Sequence, residues 1–289
     1  MTNDSLFQDL PHQMAPVSIM QAGVDPVWTE HKAKLIARYL RYFVFITKHG
    51  CYVDGFAGPK NKDLADSWAA ELVVNSEPRF LKQFFLCDQD PGQVSALQSL
   101  VSSQPSAPKR TFQVLPGDFN ATVDQVLDSG VIGEKTATFC LLDQYSCECH
   151  WETVRKLARH KGDGANKIEQ FYFLATGWLG RSLAGFKSGN PVPDNWWGSS
   201  DWLELQGLSG DLIAIKMAER FRDELGYRFV RPWPIYKREK GKGRIMFHMI
   251  HASDHPEAHK LMKRAYKHVL DVPESEEQLN LELAGQLTK

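Results

Sequence analysis

The sequence predicts one large α/β domain: a mainly parallel sheet with helices on both faces and an antiparallel hairpin near its C-terminus. Three observations carry this. Short, near-continuous apolar runs alternate with helical patterns between residues 50 and 175, as strands buried on both faces do. An aspartate stands at or just past the end of each of the first four runs. Later, two strand-like runs are joined by a short polar turn, which pairs them antiparallel.

Each element has its own signal. Residues 1–27 are polar and carry Pro11, Pro16 and Pro26, which suits a surface arm. From Thr29, apolar Leu35, Ile36, Tyr39, Leu40, Phe43 and Ile46 recur at helical spacing, with Lys and Arg on the other face. Cys51-Tyr52-Val53 then reads as a strand closed by the turn Asp54-Gly55-Phe56-Ala57-Gly58-Pro59. Further strands are expected at 84–87, 112–115, 138–142 and 168–175, and helices at 91–101, 121–127 and 151–160. Residues 177–207 hold Trp178, Trp196, Trp197 and Trp202 among glycines and prolines, and are expected to form a long insert. A helix is expected at 211–225 and hairpin strands at 228–236 and 244–252. A last helix follows Ser253-Asp254, with Pro256 in its first turn and Glu257 near its positive end. The domain is bounded at 28–272, and 273–289 reads as a loose acidic tail.

Composition excludes several classes. With 43% hydrophobic and 24% charged residues in 289, disorder, collagen and coiled-coil readings fail for the chain as a whole. A formal net charge of −1 excludes a globally basic surface, so nucleic acid would need a local patch. No apolar run approaches the roughly 20 residues of a membrane helix. The N-terminal segment lacks the pattern of a secretory signal. Five cysteines in a chain this long do not suggest a disulfide framework, so a cytoplasmic protein with reduced thiols is expected.

The aspartates matter because ligands bind outside the carboxyl ends of strands in such sheets. Asp54, Asp88, Asp118 and Asp143 occupy four such ends. Gly55 and Gly58 let backbone approach a ligand, but no phosphate-loop or GxGxxG pattern is present. A carboxylate heading the turn suits a cation, such as the amino and sulfonium groups of S-adenosylmethionine. Asp88, with Gln89 beside it, could take the ribose hydroxyls. Asp118 could hold the adenine amine, with Phe119 covering the ring.

This pattern resembles the class I S-adenosylmethionine-dependent methyltransferases, whose Rossmann-like sheet receives its last strand antiparallel. Asp54-Gly55-Phe56-Ala57-Gly58 is similar to the first motif of many DNA and RNA methyltransferases. A narrower resemblance spans most of the chain. Tyr52 to Pro59, Leu142-Asp143, Trp151-Glu152-Thr153, Trp196-Trp197-Gly198 and His251 to Pro256 resemble the three-Cys-motif partner (TcmP) family. It implies a methyltransferase-like fold beside an iron–sulfur-type three-Cys protein as possible partner.

Asp143-Gln144-Tyr145-Ser146 departs from the Asp-Pro-Pro-Tyr of amino-methylating enzymes by lacking both prolines. Asp143 and Tyr145 are the candidates for substrate positioning, with Gln144 as an alternative amide. For Asp143 the alternative is that it caps the following helix or binds a neighbouring backbone amide. Trp196 and Trp197 could stack on a flat substrate or form a satellite core. Lys237 and Arg238 head the densest basic stretch, which reads as a phosphate-tracking hairpin or a solvated turn. Cys147, Cys149 and His150 lack zinc-site spacing, and no metal is expected. A methyltransferase acting on nucleic acid or a nucleobase-like substrate is the leading expectation. A non-catalytic partner of a three-Cys protein, or another adenosyl-group transfer, is the alternative.

Overall fold

The computed structural model describes residues 27–59, 65–107, 109–237 and 243–270. Arg238 and both expected tails, up to residue 26 and from 273, lie outside the described residues.

Helix α1 (Val27–Thr47) leads into β1 (Gly50–Asp54). A 3-10 turn (Ala65–Ser67) and α2 (Ala69–Val74), neither foreseen in the sequence, precede β2 (Leu81–Asp88). The alternation continues through α3 (Pro91–Ser102), β3 (Thr111–Pro116), α4 (Phe119–Leu127), β4 (Thr138–Leu142), α5 (Trp151–Arg159) and β5 (Glu169–Leu174). Then come α6 (Thr176–Gly185), α7 (Pro191–Trp197), a 3-10 segment (Ser200–Leu205), α8 (Gly210–Asp223), β6 (Phe229–Tyr236), β7 (Ile245–Ser253) and α9 (Ala258–Leu270).

The strands form one seven-stranded sheet in the order β3-β2-β1-β4-β5-β7-β6. β1 to β5 are parallel, and β7 enters antiparallel between β5 and β6. Because side chains alternate along each strand, the sheet splits the core in two. Tyr52, Phe84, Phe139 and Phe171 pack with α1, α2, α3 and α9. Cys51, Phe85, Cys140 and Tyr172 pack with α4, α5, α6, α7 and α8.

Short polar caps set the helix starts. Asp90, Asp118, Asn190 and Ser209 each accept a backbone N–H from the first turn of α3, α4, α7 and α8, the expected role of short oxygen-bearing residues there.

The Trp-rich stretch carries its own helices. α6, α7 and the 3-10 segment fold it onto the α8 face, and Trp196, Trp197 and Trp202 join that core. Trp202 Nε1 donates to Asp194 Oδ1 at 2.6 Å. Gly198 (φ +84°) closes α7 against Trp151, whose Cδ1 would lie 2.8 Å from an added Cβ, so both its turn and its contact require glycine.

Candidate functional site

Strand register gathers the aspartates. In the parallel pairing Asp54 lies opposite Leu86 of β2 and Leu141 of β4. Asp88 and Asp143 are each two residues past those partners, so the same pleat parity aims all three toward the face that α1 covers. Asp118 in turn follows Pro116, the partner of Asp88, by two. The four expected carboxylates therefore collect at one end of the sheet.

Their surroundings divide them. Asp54 is 1% exposed. It accepts from Tyr52 Oη at 2.8 Å and from the Phe56 N–H at 3.1 Å. These contacts hold the turn from within, the residue also borders a small space shared with Thr29 and Asp143, and burial pushes the Tyr52 phenol well above its usual range. Gly55 does come close to a ring, but the ring is the protein's own: an added Cβ would lie 2.6 Å from Phe119 Cδ1. Phe119 is buried in the core, so it covers no ligand face, contrary to the expectation for it. Phe56 is half-buried against the same core, and Ala57 is buried.

Asp88 is only half-buried. Its Oδ2 accepts from the Gly58 N–H at 2.9 Å and its Oδ1 from the Asp90 N–H at 3.0 Å. An added Cβ on Gly58 would meet Gln93 Cβ at 2.4 Å and Asp88 Oδ2 at 2.6 Å, so this turn needs glycine for contact alone. Gln93 Oε1 beside it is buried without a hydrogen-bond partner. Gln89 is exposed. Asp118 is exposed and caps α4 through Oδ1, which accepts from Asn120 N and Nδ2.

Asn120, missed in the sequence, ties two motifs together. Its Nδ2 donates to the Glu148 carbonyl, and its Oδ1 accepts from His150 N and Thr153 Oγ1. The loop after β4 is thus fastened to the loop after β3.

Asp143 neither caps a helix nor stands open to a substrate. Lys32 of α1 donates to its Oδ1 at 2.6 Å and its Oδ2 at 2.9 Å. Both side chains are at least nine-tenths buried. The ammonium also lies 4.1 Å from the Phe247 ring centroid and 5.0 Å from that of Phe173, a cation–π arrangement. Lys32 carried a signal: it stands three residues before Leu35 and four before Ile36, on the apolar stripe of its own helix.

The other expected substrate residues differ in their surroundings. Gln144 is buried, its Oε1 accepting from Glu148 N and Cys149 N and its Nε2 donating to the Phe173 carbonyl. It pins the loop and offers no amide to a ligand. Trp196 is 0% exposed, and Trp197 is buried under the Arg220 guanidinium at 4.3 Å; neither has a free ring face. Tyr145 is half-buried, 5.6 Å from Trp178. Lys237 closes the hairpin, its N–H donating to the Arg244 carbonyl. β6 runs parallel to β5, so this turn stands at the carboxylate end of the sheet.

Cys147 and Cys149 are buried free thiols. Burial pushes Cys147 up to about 12 and Cys149 further up, which disfavours thiolates. Among the described residues no group of three or more metal-ligating side chains is clustered, and no helix is long and apolar enough to cross a membrane.

The strand order, with the last strand antiparallel, is that of the class I methyltransferase fold. No protein-family model and no curated protein matches the chain. Solved structures do. The M. jannaschii protein TYW2 in complex with AdoMet is 9% identical, with a TM-score of 0.35 over 71% of this chain and 68% of that one. The DszA carbon methyltransferase is 17% identical, with a TM-score of 0.45 over 78% and 54%. The putative methyltransferase yhhF of Escherichia coli is 12% identical, with a TM-score of 0.36 over 85% and 92%.

Proposed function

We propose that the chain is an S-adenosylmethionine-dependent methyltransferase. The observation that carries the reading is the gathering of Asp88, Asp118 and Asp143 at the carboxyl ends of β2, β3 and β4, in a sheet of this strand order. The nucleoside half of the cofactor fits the residues present. Asp88 keeps lone pairs for a ribose diol, Asp118 Oδ2 is free for the adenine amine, and Gln93 Oε1 is an orphaned acceptor nearby. The amino-acid half is tighter. The space bounded by Thr29, Ala33, Asp54, Ser67, Trp68 and Asp143 is about 10 Å³, little more than one water needs. Binding there requires Lys32 or the Ser67–Trp68 segment to give way.

When bound, the cofactor supplies an electrophilic methyl group. The chain supplies orientation. In this reading Asp143, at the end of β4, orients an acceptor once Lys32 releases it, and Tyr145 flanks it. Nucleic acid or a nucleobase-like acceptor is the class to test first, because Lys237 and Arg244 stand at the same end of the sheet.

A second reading is a methyltransferase-like, non-catalytic partner of a three-Cys protein. Its support is specific: Asp143 is occupied by Lys32 and Gln144 is consumed by its own loop.

Calorimetric titration with S-adenosylmethionine and S-adenosylhomocysteine separates the two. The methyltransferase reading expects micromolar binding that weakens at least tenfold in Asp88→Asn. Folded protein that binds neither ligand overturns it and turns attention to the partner.

A further inference from the structure

A second cleft lies at the opposite end of the sheet. It encloses about 320 Å³, within the range of small-ligand sites. Thr138 opens β4, Glu169 opens β5 and Ser253 closes the antiparallel β7, and all three line it. It therefore sits at the amino ends of the parallel strands, away from the four aspartates. None of its lining belongs to the site described above.

Its chemistry is uneven. One wall is apolar, from Phe43 and Ile46 of α1 and Ala258 and Leu261 of α9. The polar groups are mostly spent. Glu169 accepts from Tyr39, His251 and Ser253. Lys167 is paired with Asp254. Glu134 Oε1 accepts from the Gly162 N–H.

Lys161 is the exception. Its residue is 8% exposed. Its ammonium has three donors, and one is used, on the Thr136 carbonyl at 2.6 Å. Among the described residues no carboxylate lies within ion-pair distance of it. Glu134, the carboxylate that acts on it, stays beyond ion-pair distance, so the buried ammonium is only partly compensated. Lys135, exposed on the rim, adds a second cation. Burial lowers the Lys161 pKa, the strain that a seated anion would relieve.

The geometry points to a binding site for a small organic anion, its acidic head on Lys161 and its hydrocarbon or aromatic body along Phe43, Ile46 and Leu261. The cleft volume bounds the ligand to the size of a substituted aromatic acid. The proposal does not depend on the methyltransferase reading, because it uses no residue of that site.

The test uses benzoate, phenyl phosphate, inorganic phosphate and the neutral benzamide as probes on the full chain. Binding is followed by calorimetry and by methyl shifts of Ile46, Ala258 and Leu261 in NMR spectra. Benzoate or phenyl phosphate should bind with shifts at those methyls, and at least tenfold more tightly than benzamide. Lys161→Met should abolish the preference, Lys161→Arg should retain it, and Asp88→Asn should leave it unchanged. A response to benzoate alone marks a carboxylate ligand, and one to phenyl phosphate alone a phosphate ester. Benzamide binding as well as benzoate, shifts mapping to the aspartate end, unchanged binding in Lys161→Met, or no binding by either aromatic anion overturns the proposal. Should Lys161→Met fail to fold, the wild-type shift map and the benzoate-to-benzamide ratio decide.

Discussion

The two ends of the sheet each bury a lysine and treat it in opposite ways. At the carboxyl ends, Lys32 meets both oxygens of Asp143 and two aromatic rings. At the amino ends, Lys161 meets one backbone carbonyl. The first charge is satisfied inside the fold, so it can be displaced only at a cost. The second is left short of partners, so a ligand can improve it. Breaking the first arrangement on one side strands a buried charge, whereas the second retains unspent binding capacity. A buried charge signals function most strongly where the protein has not already answered it.

The largest test is to break the satisfied pair. Lys32→Met leaves Asp143 buried and unpaired, and is expected to lower the unfolding free energy by about 3–5 kcal/mol. Lys32→Met combined with Asp143→Leu should recover most of that loss, as measured by urea denaturation. Equal losses in the single and double variants would show that the pair is not coupled.

A pH scan sharpens the contrast at the carboxyl end. His248 accepts or donates at Thr176 Oγ1 over 2.8 Å, and burial lowers its pKa from 6.5 to about 4. The folded state resists the proton that the unfolded chain takes up. Stability from this group is therefore full above about pH 6.5 and falls as pH drops toward 4, by a total of the order of 3 kcal/mol. His248→Gln should flatten that part of the profile.

The smallest effect is expected at the amino end. Lys161→Met, without added ligand, should change the unfolding free energy by no more than about 1 kcal/mol, because no ion pair is broken. A loss as large as that of Lys32→Met would erase the difference between the two ends.

Much of the fold was legible in the sequence. Strands buried on both faces read as plain apolar runs, and the hairpin was marked by its polar turn. The aspartates were legible because strand ends are where a parallel sheet gathers residues. What the sequence concealed were side chains whose role depends on the element opposite. Gln144, Trp196 and Trp197 look like ligand-facing groups until their neighbours fill the space around them. Lys32 looks like part of a solvated helix face unless its place on the apolar stripe is noticed. Phe119 looked like a cover for a flat ligand because nothing in the sequence says that Gly55 would receive its ring.

The order β5-β7-β6 also sets a timetable. β6 is synthesised before β7 but lies outside it, so it has no place to dock until its successor has emerged. While the ribosome is still making residues 245–253, the nascent chain carries an open edge on β5, the kind of edge that other chains can add to. Completion of the sheet is thereby deferred to nearly the end of translation.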